Sequence, residues 1–233
     1  MHTYLAGARC LAGLFAVVFI SGHTPASAQQ AAATTAARPA FAARLIAAAE
    51  ARINKTITYD PAYVSLKYPG GDVAPDRGVC SDVVIRAYRA LGIDLQQRIH
   101  EDMRRKFRAY PARWGLKRPD PNIDHRRVPN LRRFFTRQGQ SLPVSIDASA
   151  YQPGDLVTWD VAKPRLLPGT LKFSRPTASG RLAFARTPHI GIVTDKLSPD
   201  GKRPLIVHNI GGGTVLEDML FAYQITGRYR FGE

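Results

Sequence analysis

G-V-C-S-D-V-V-I-R-A-Y-R-A-L-G, residues 78–92, is the stretch whose reading decides the fold. Val83, Val84, Ala87, Tyr88 and Leu91 recur at helical spacing and form one apolar face, and Gly92 supplies a stop. The preceding Y-P-G-G-D-V-A-P-D-R-G, residues 68–78, is too dense in Gly, Pro and Asp for regular structure and reads as a loop. A cysteine, Cys80, therefore lies at the first turn of a helix entered directly from a loop.

Working outward, Leu45, Ile46, Ala49 and Ile53 give an amphipathic helix over residues 41–57. Further helices are expected over residues 100–108 and 128–138. Between them lies a Pro- and Arg-rich insertion around residues 109–130, too aromatic and too punctuated for a flexible linker. The second half changes character. D-L-V-T-W (155–159), H-I-G-I-V-T-D (189–195), L-I-V-H-N-I (205–210) and I-T-G-R-Y-R-F (225–231) are short, β-rich and bounded by turn residues. Helices first and strands afterwards predict an α+β domain, its N-terminal helices packed on an antiparallel β-sheet.

The first residues read as an export signal. Arg9 precedes an apolar run over residues 11–20, and Ala26-Ser27-Ala28 is a small-residue exit, so residues 1–28 are expected to be a cleaved signal peptide. The run is shorter than the about 20 apolar residues that span a bilayer, and no stable membrane anchor is expected. Residues 29–40 read as a disordered leader and residues 41–233 as a single domain. The expected location is the periplasm or the exterior. Cleavage would take Cys10 with it and leave Cys80 as the remaining thiol of the chain's two cysteines. An unpaired thiol in an oxidising compartment is either reactive or a small buried hydrophobe.

The formal net charge of +15 favours polyanions. No interleaved aromatic motif supports nucleic acid, and export would remove that partner, so carboxylate-rich wall peptide is the expected one.

The chemistry that the sequence suggests starts from the thiol. A helix N-terminus lowers a cysteine pKa and presents free N–H groups to an oxyanion. A base is then needed, and His189 opens one apolar strand while His208 ends the next. The S-P-D-G-K turn between them would run the two strands antiparallel and set these histidines side by side. Each could instead be a structural histidine. Cys80, His189 and His208 could also offer three ligands to zinc, although no short-range ligand pair accompanies them. The block P-D-P-N-I-D-H-R-R, residues 119–127, lacks the closing Glu of a calcium loop. It reads either as a self-paired structural loop or as part of a carboxylate-recognising groove, with Arg126 and Arg127 as bidentate donors. Trp114 is a candidate groove wall, whereas Trp159 reads as core.

C-S-D before an apolar helix, Y-Q-P-G-D-L-V (151–157), H-I-G-I-V (189–193) and I-V-H-N (206–209) together resemble the NlpC-type, papain-like cell-wall cysteine peptidases. From about residue 61 onward the chain is also similar to the bacterial domain-of-unknown-function family 1287. G-V-C-S-D-V, R-P-D-P-N-I-D-H-R-R-V-P-N-L and V-H-N-I-G carry that second resemblance. The resemblance implies Cys80 as nucleophile, His189 as base and His208 as its orienter, accepting a hydrogen bond from Nδ1–H of the base. Apart from the resemblance, Asp82, Trp114, Arg126 and Arg127 are the expected substrate contacts. Val79 stands where the wider family has Asp, with Asp82 placed two residues after the cysteine, and the insertion and residues 161–188 lengthen the usual core. The expected activity is hydrolysis of an amide bond in peptidoglycan stem peptide by a monomer that uses no cofactor and no metal. The alternatives are an acyltransferase or thioesterase using the same thiol, and a non-catalytic wall-binding module.

Overall fold

The structure, a computed structural model, describes residues 1–2, 26–164 and 187–232. Most of the expected signal peptide and most of the segment 161–188 thus lie outside the described residues. Among the described residues there are four α-helices: α1 (Ala26–Glu50), α2 (Cys80–Ala90), α3 (Leu95–Lys106) and α4 (Val128–Gln138). A short parallel pair, β1 (Thr58–Tyr59) and β2 (Arg77–Gly78), precedes the main sheet. That sheet comprises β3 (Gln140–Leu142), β4 (Leu156–Pro164), β5 (Pro188–Leu197), β6 (Pro204–Asn209), β7 (Thr214–Glu217) and β8 (Tyr223–Arg230). Its spatial order is β3-β8-β4-β5-β6-β7, and every neighbouring pair is antiparallel. The class is α+β. Among the described residues no helix is long and apolar enough to cross a membrane.

Alternation along the strands divides the core between the two faces of the sheet. Leu156, Ile190, Ile192 and Val207 meet Leu45 of α1, Ile85 and Tyr88 of α2, and Leu131 and Phe135 of α4. On the opposite face Val157, Trp159, Val193 and Ile206 join Tyr151, Met219 and Leu220. Helix α2 is buried over nearly its whole length, from Cys80 to Tyr88, because α1, the sheet and a 3-10 turn at Asp124–Arg126 surround it.

Two expectations are corrected at the N-terminal side. The helix expected over 41–57 ends at Glu50, and it begins at Ala26, running through the stretch read as a disordered leader. An Ala-rich segment has the highest helix propensity available, and the lack of apolar patterning before residue 40 only removes a packing signal. Arg38, inside that stretch, reaches Asp155 at 3.3 Å.

Asp155 is fully buried and also receives Arg228 Nε at 2.7 Å and Arg230 Nε at 2.6 Å. The Gln152 backbone N–H donates to it as well, at 3.0 Å. One carboxylate thus ties α1 to β8 at the entry to β4. Removing it leaves Arg228, itself buried, without a counter-charge, and breaking a buried pair from one side costs about 3–5 kcal/mol. Asp155→Ala is therefore expected to lower the urea midpoint by an amount corresponding to about that loss, while Arg38→Ala, at the exposed edge of the cluster, lowers it far less.

Candidate functional site

Helix α2 starts at Cys80, with Val79 as its N-cap residue. A valine side chain cannot accept a hydrogen bond, so the cap is made from inside: Asp82 Oδ2 accepts the Val79 N–H at 2.7 Å. Arg126 holds the same carboxylate bidentately, Nε to Oδ1 and Nη2 to Oδ2 both at 2.9 Å, with both side chains buried. Arg126 donates further to the carbonyls of Ala62 and Asp60, each at 3.1 Å. The Ser81 hydroxyl donates to the Arg126 carbonyl at 2.7 Å. The insertion is thereby bolted to the first turn of the helix that carries the cysteine. Asp82 and Arg126, expected as substrate contacts, are placed facing each other, with their hydrogen-bonding capacity taken up by the protein.

The position of the sulfur follows from strand pairing. In β5 the odd-numbered residues exchange hydrogen bonds with β4, as the Val193 N–H to Asp155 carbonyl (2.9 Å) and Val161 N–H to Thr187 carbonyl (3.0 Å) bonds mark. The even-numbered residues therefore face β6. That ladder is registered at Ile192↔Val207 and carries no Ile190 pair. Past this point β5 and β6 separate, and the start of α2 fills the gap. The Asn209 side-chain amide donates to the Gly78 carbonyl at 3.2 Å, and the Ile190 N–H turns to the Cys80 sulfur. Cys80 is thus held against the backbone one residue from His189. The Ser81 and Cys80 N–H groups point at the sulfur too.

His189, Gly191, Ile206 and His208 share the other sheet face by register. A side chain at Gly191 would come within 2.6 Å of Ile206 and 3.1 Å of His208 Cβ, so glycine there is what lets the two strands carry these rings together. His189 Nε2 lies 3.0 Å from His208 Nδ1, with the rings edge to face. The expected nitrogen was Nδ1. Pairing through Nε2 leaves Nδ1 as the other basic position of His189. His208 Nε2 lies 3.4 Å from Glu217 Oε2 on β7, close enough for an ion pair but outside hydrogen-bond alignment. With a proton on each Nε2, His189 donates to His208 and His208 presents its proton to Glu217. His208 in turn holds the Glu217 carboxyl below its usual range.

Burial sets the protonation of the pair. Desolvation, helped by the neighbouring His208, lowers the His189 pKa well below the ordinary imidazole value, so the ring is neutral at physiological pH. The thiol runs against expectation. The helix terminus is read from sequence as lowering its pKa, yet burial pushes Cys80 up to about 12, the Ile190 N–H pulling down and Asp82 adding to the rise. The resting pair is thiol and neutral imidazole.

Cys80 opens onto a cleft of about 460 Å³ walled by Tyr59, Arg113, Trp114, Arg127 and Pro188. Arg127 stacks its guanidinium 4.1 Å from the centre of the Trp114 ring and is neutralised by Asp124 at 2.9 Å. Arg113 is exposed and makes no ion pair among the described residues, so it is the cleft's uncompensated cation. His125 is buried on the 3-10 turn, its pKa pushed down to about 3 by desolvation, and His100 stacks edge-on against Tyr68. Neither lines this cleft. Among the described residues no group of three or more His, Cys, Asp or Glu is arranged to hold a metal ion. Sequence reasoning missed Ile190, Glu217 and Arg113. Glu217 had a legible signal, since T-V-L-E follows V-H-N-I-G-G-G as the second arm of a glycine-turn hairpin and would bring an acid near His208.

These elements define a class: an α+β domain with a buried helix-start cysteine, a histidine pair and an acid set across one sheet. The chain belongs to the DUF1287 family, described as "Domain of unknown function (DUF1287)", which matches residues 46–170 and 175–231. It is 49% identical over 183 residues, 78% of each chain, to "Uncharacterized protein YijF" of Escherichia coli (strain K12). No solved structure matches it.

Only the thiolate is alkylated, so with a thiol pKa of about 12 the rate of iodoacetamide labelling of Cys80 should climb about tenfold per pH unit between about pH 7 and pH 10. A plateau below about pH 9 would show that the three amides outweigh burial.

Proposed function

We propose that this protein is an exported cysteine hydrolase of papain-like, NlpC-type architecture that cleaves an amide bond in the peptide of the bacterial cell wall. One observation carries the reading: the Cys80 sulfur is gripped by the N–H of the residue after His189, while His189 spends Nε2 on His208 and keeps Nδ1 for a proton. The order of cysteine at a helix start, histidine at a strand start and a polar residue on the next strand supports the same family likeness, as does the basic cleft. Arg113, and Arg127 stacked on Trp114, suit a substrate that carries carboxylates.

In the proposed reaction the thiol and its base are neutral at rest, so attack and proton transfer go together. As the sulfur bonds to the carbonyl carbon, its proton passes round the start of β5, from the sulfur held at the Ile190 N–H to His189 Nδ1 on the opposite sheet face, and the carbonyl oxygen gains the charge that the Cys80 and Ser81 N–H groups face. Collapse breaks the C–N bond, with imidazolium returning the proton to the leaving amine. Water then adds to the thioester with His189 as base, and the carboxylic acid leaves the regenerated thiol. His208 fixes the ring, and Glu217 stabilises the positive charge that the pair acquires.

The test is incubation of the purified protein with intact peptidoglycan and identification of the products by mass spectrometry. Cys80→Ala and His189→Ala should each remove turnover by at least about a thousandfold with the fold retained. His208→Ala should lower kcat by about tenfold or more and leave KM nearly unchanged, and His208→Gln should recover part of it, because an amide oxygen accepts the same proton. Full turnover by Cys80→Ala would end the proposal.

A further inference from the structure

Behind Trp114 lies a second, smaller cavity of about 200 Å³. Met103, Phe107, Tyr110, Leu116 and Asn130 form its walls with the same Trp114 that walls the cysteine cleft, so one indole separates the two spaces. Apolar side chains predominate in its lining, but Arg108 and Asp124 border it as well, Asp124 being spent on the Asp120 N–H, Arg127 and Asn130, and one buried polar atom is left over. Asn130 is fully buried and its Nδ2 donates to the Asp124 carbonyl at 3.1 Å and to Asp124 Oδ1 at 3.3 Å. Both partners are acceptors, which fixes the amide orientation, since turning it over would set oxygen against oxygen. Asn130 Oδ1 is left buried with no donor among the described residues. A buried acceptor without a partner costs about 1–3 kcal/mol, and such a group is retained where something else supplies the proton.

We infer that this cavity is a specificity subsite of the Cys80 cleft, taking an apolar side chain borne on an amide whose N–H is accepted by Asn130 Oδ1. The Met103, Phe107, Tyr110, Leu116 and Trp114 side chains favour an apolar occupant, the volume of about 200 Å³ suits a single side chain, and the orphan acceptor selects an amide N–H. The substrate class is accordingly a peptide with an apolar residue close to the bond attacked, complementing the carboxylate preference of Arg113 on the open side of Trp114. The inference rests on Cys80 being the reacting group only for the word subsite; binding in the cavity stands or falls independently.

The cavity is tested by titrating the 15N-labelled full chain with N-benzylacetamide. The Asn130 side-chain amide and the Trp114 indole N–H should shift together and saturate, and Ala112→Phe, which fills the cavity from its exposed loop, should weaken that binding by about tenfold or more. Shifts that never saturate, or that Ala112→Phe leaves unchanged, overturn the cavity as a binding site. Its link to the cleft is tested by alkylation. Cys80 should react about tenfold faster with N-benzyl iodoacetamide than with iodoacetamide, a ratio that Ala112→Phe returns to about one while its iodoacetamide rate stays that of the parent. Equal rates for the two reagents in the parent protein, with binding intact by titration, overturn the subsite and leave the proposed hydrolase standing. Loss of turnover on peptidoglycan with the titration intact does the reverse.

Discussion

The Asp82 carboxylate is in contact with two parts of the protein at once, and the geometry around the cysteine depends on it. Its Oδ2 closes the open end of α2 through the Val79 N–H, and both oxygens engage Arg126 across the interface with the insertion. Arg126 then reaches back to the segment beside β1 through Asp60 and Ala62. Such a pair contributes little net stability compared with apolar residues of the same size, but breaking it from one side is expensive, so it specifies an arrangement more than it strengthens one. The arrangement specified is the start of α2 wedged where β5 and β6 part. That explains why an acid two residues after the cysteine and an arginine forty-odd residues later belong to one construction.

The same wedge decides the electrostatics. Sealing the sulfur against Ile190 removes it from water, which raises the thiol pKa, and sealing His189 against His208 and Trp159 lowers the imidazole pKa. Both shifts favour the uncharged forms, so the ground state holds no ion pair. A charge pair created in this environment interacts far more strongly than it would in water, and the amides that would solvate it are already in place. In the proposed chemistry the charge therefore develops only as the reaction proceeds, and Asp82, by opposing a resting thiolate, assists that delay while Arg126 keeps its own charge compensated.

Much of this was legible in the residues, and the reasons for the gaps are physical. Helix α4 has the limits read from its period, since V-P-N-L-R-R-F-F places proline in the first turn and Gly139 just past the end. The β5 and β6 segments were found by their unbroken apolar runs, and the His189 and His208 neighbourhood followed from the turn between them. β3 and β7 were missed because they are edge strands of three and four residues, with too little length for a period to form. The helical stretch before residue 40 was missed because it is uniformly small. The sign of the cysteine shift could not be read at all, because a helix terminus is visible in sequence whereas the depth at which the fold buries it is not.

The insertion illustrates how one segment can serve two structural needs. Its acidic residues mostly look inward: Asp124 Oδ2 accepts the Asp120 N–H at 2.6 Å, and Asp120 Oδ1 accepts the Asn122 N–H at 2.9 Å. Those short bonds give an otherwise irregular chain the rigidity of a turn, in the way Asx motifs do elsewhere. Rigidity on that side is what allows Trp114 and Arg127 to stand as a fixed wall on the other. The wall is built from a cation stacked on an aromatic ring and neutralised from behind by Asp124, so it offers shape without adding net charge. Among the described residues that line the cleft, the charge without an ion-pair partner is that of Arg113, on the exposed arm of the loop. The fold thus separates the residues that set the position of the Cys80 sulfur, which are buried and paired, from Arg113 and Trp114 on the cleft wall, which are exposed.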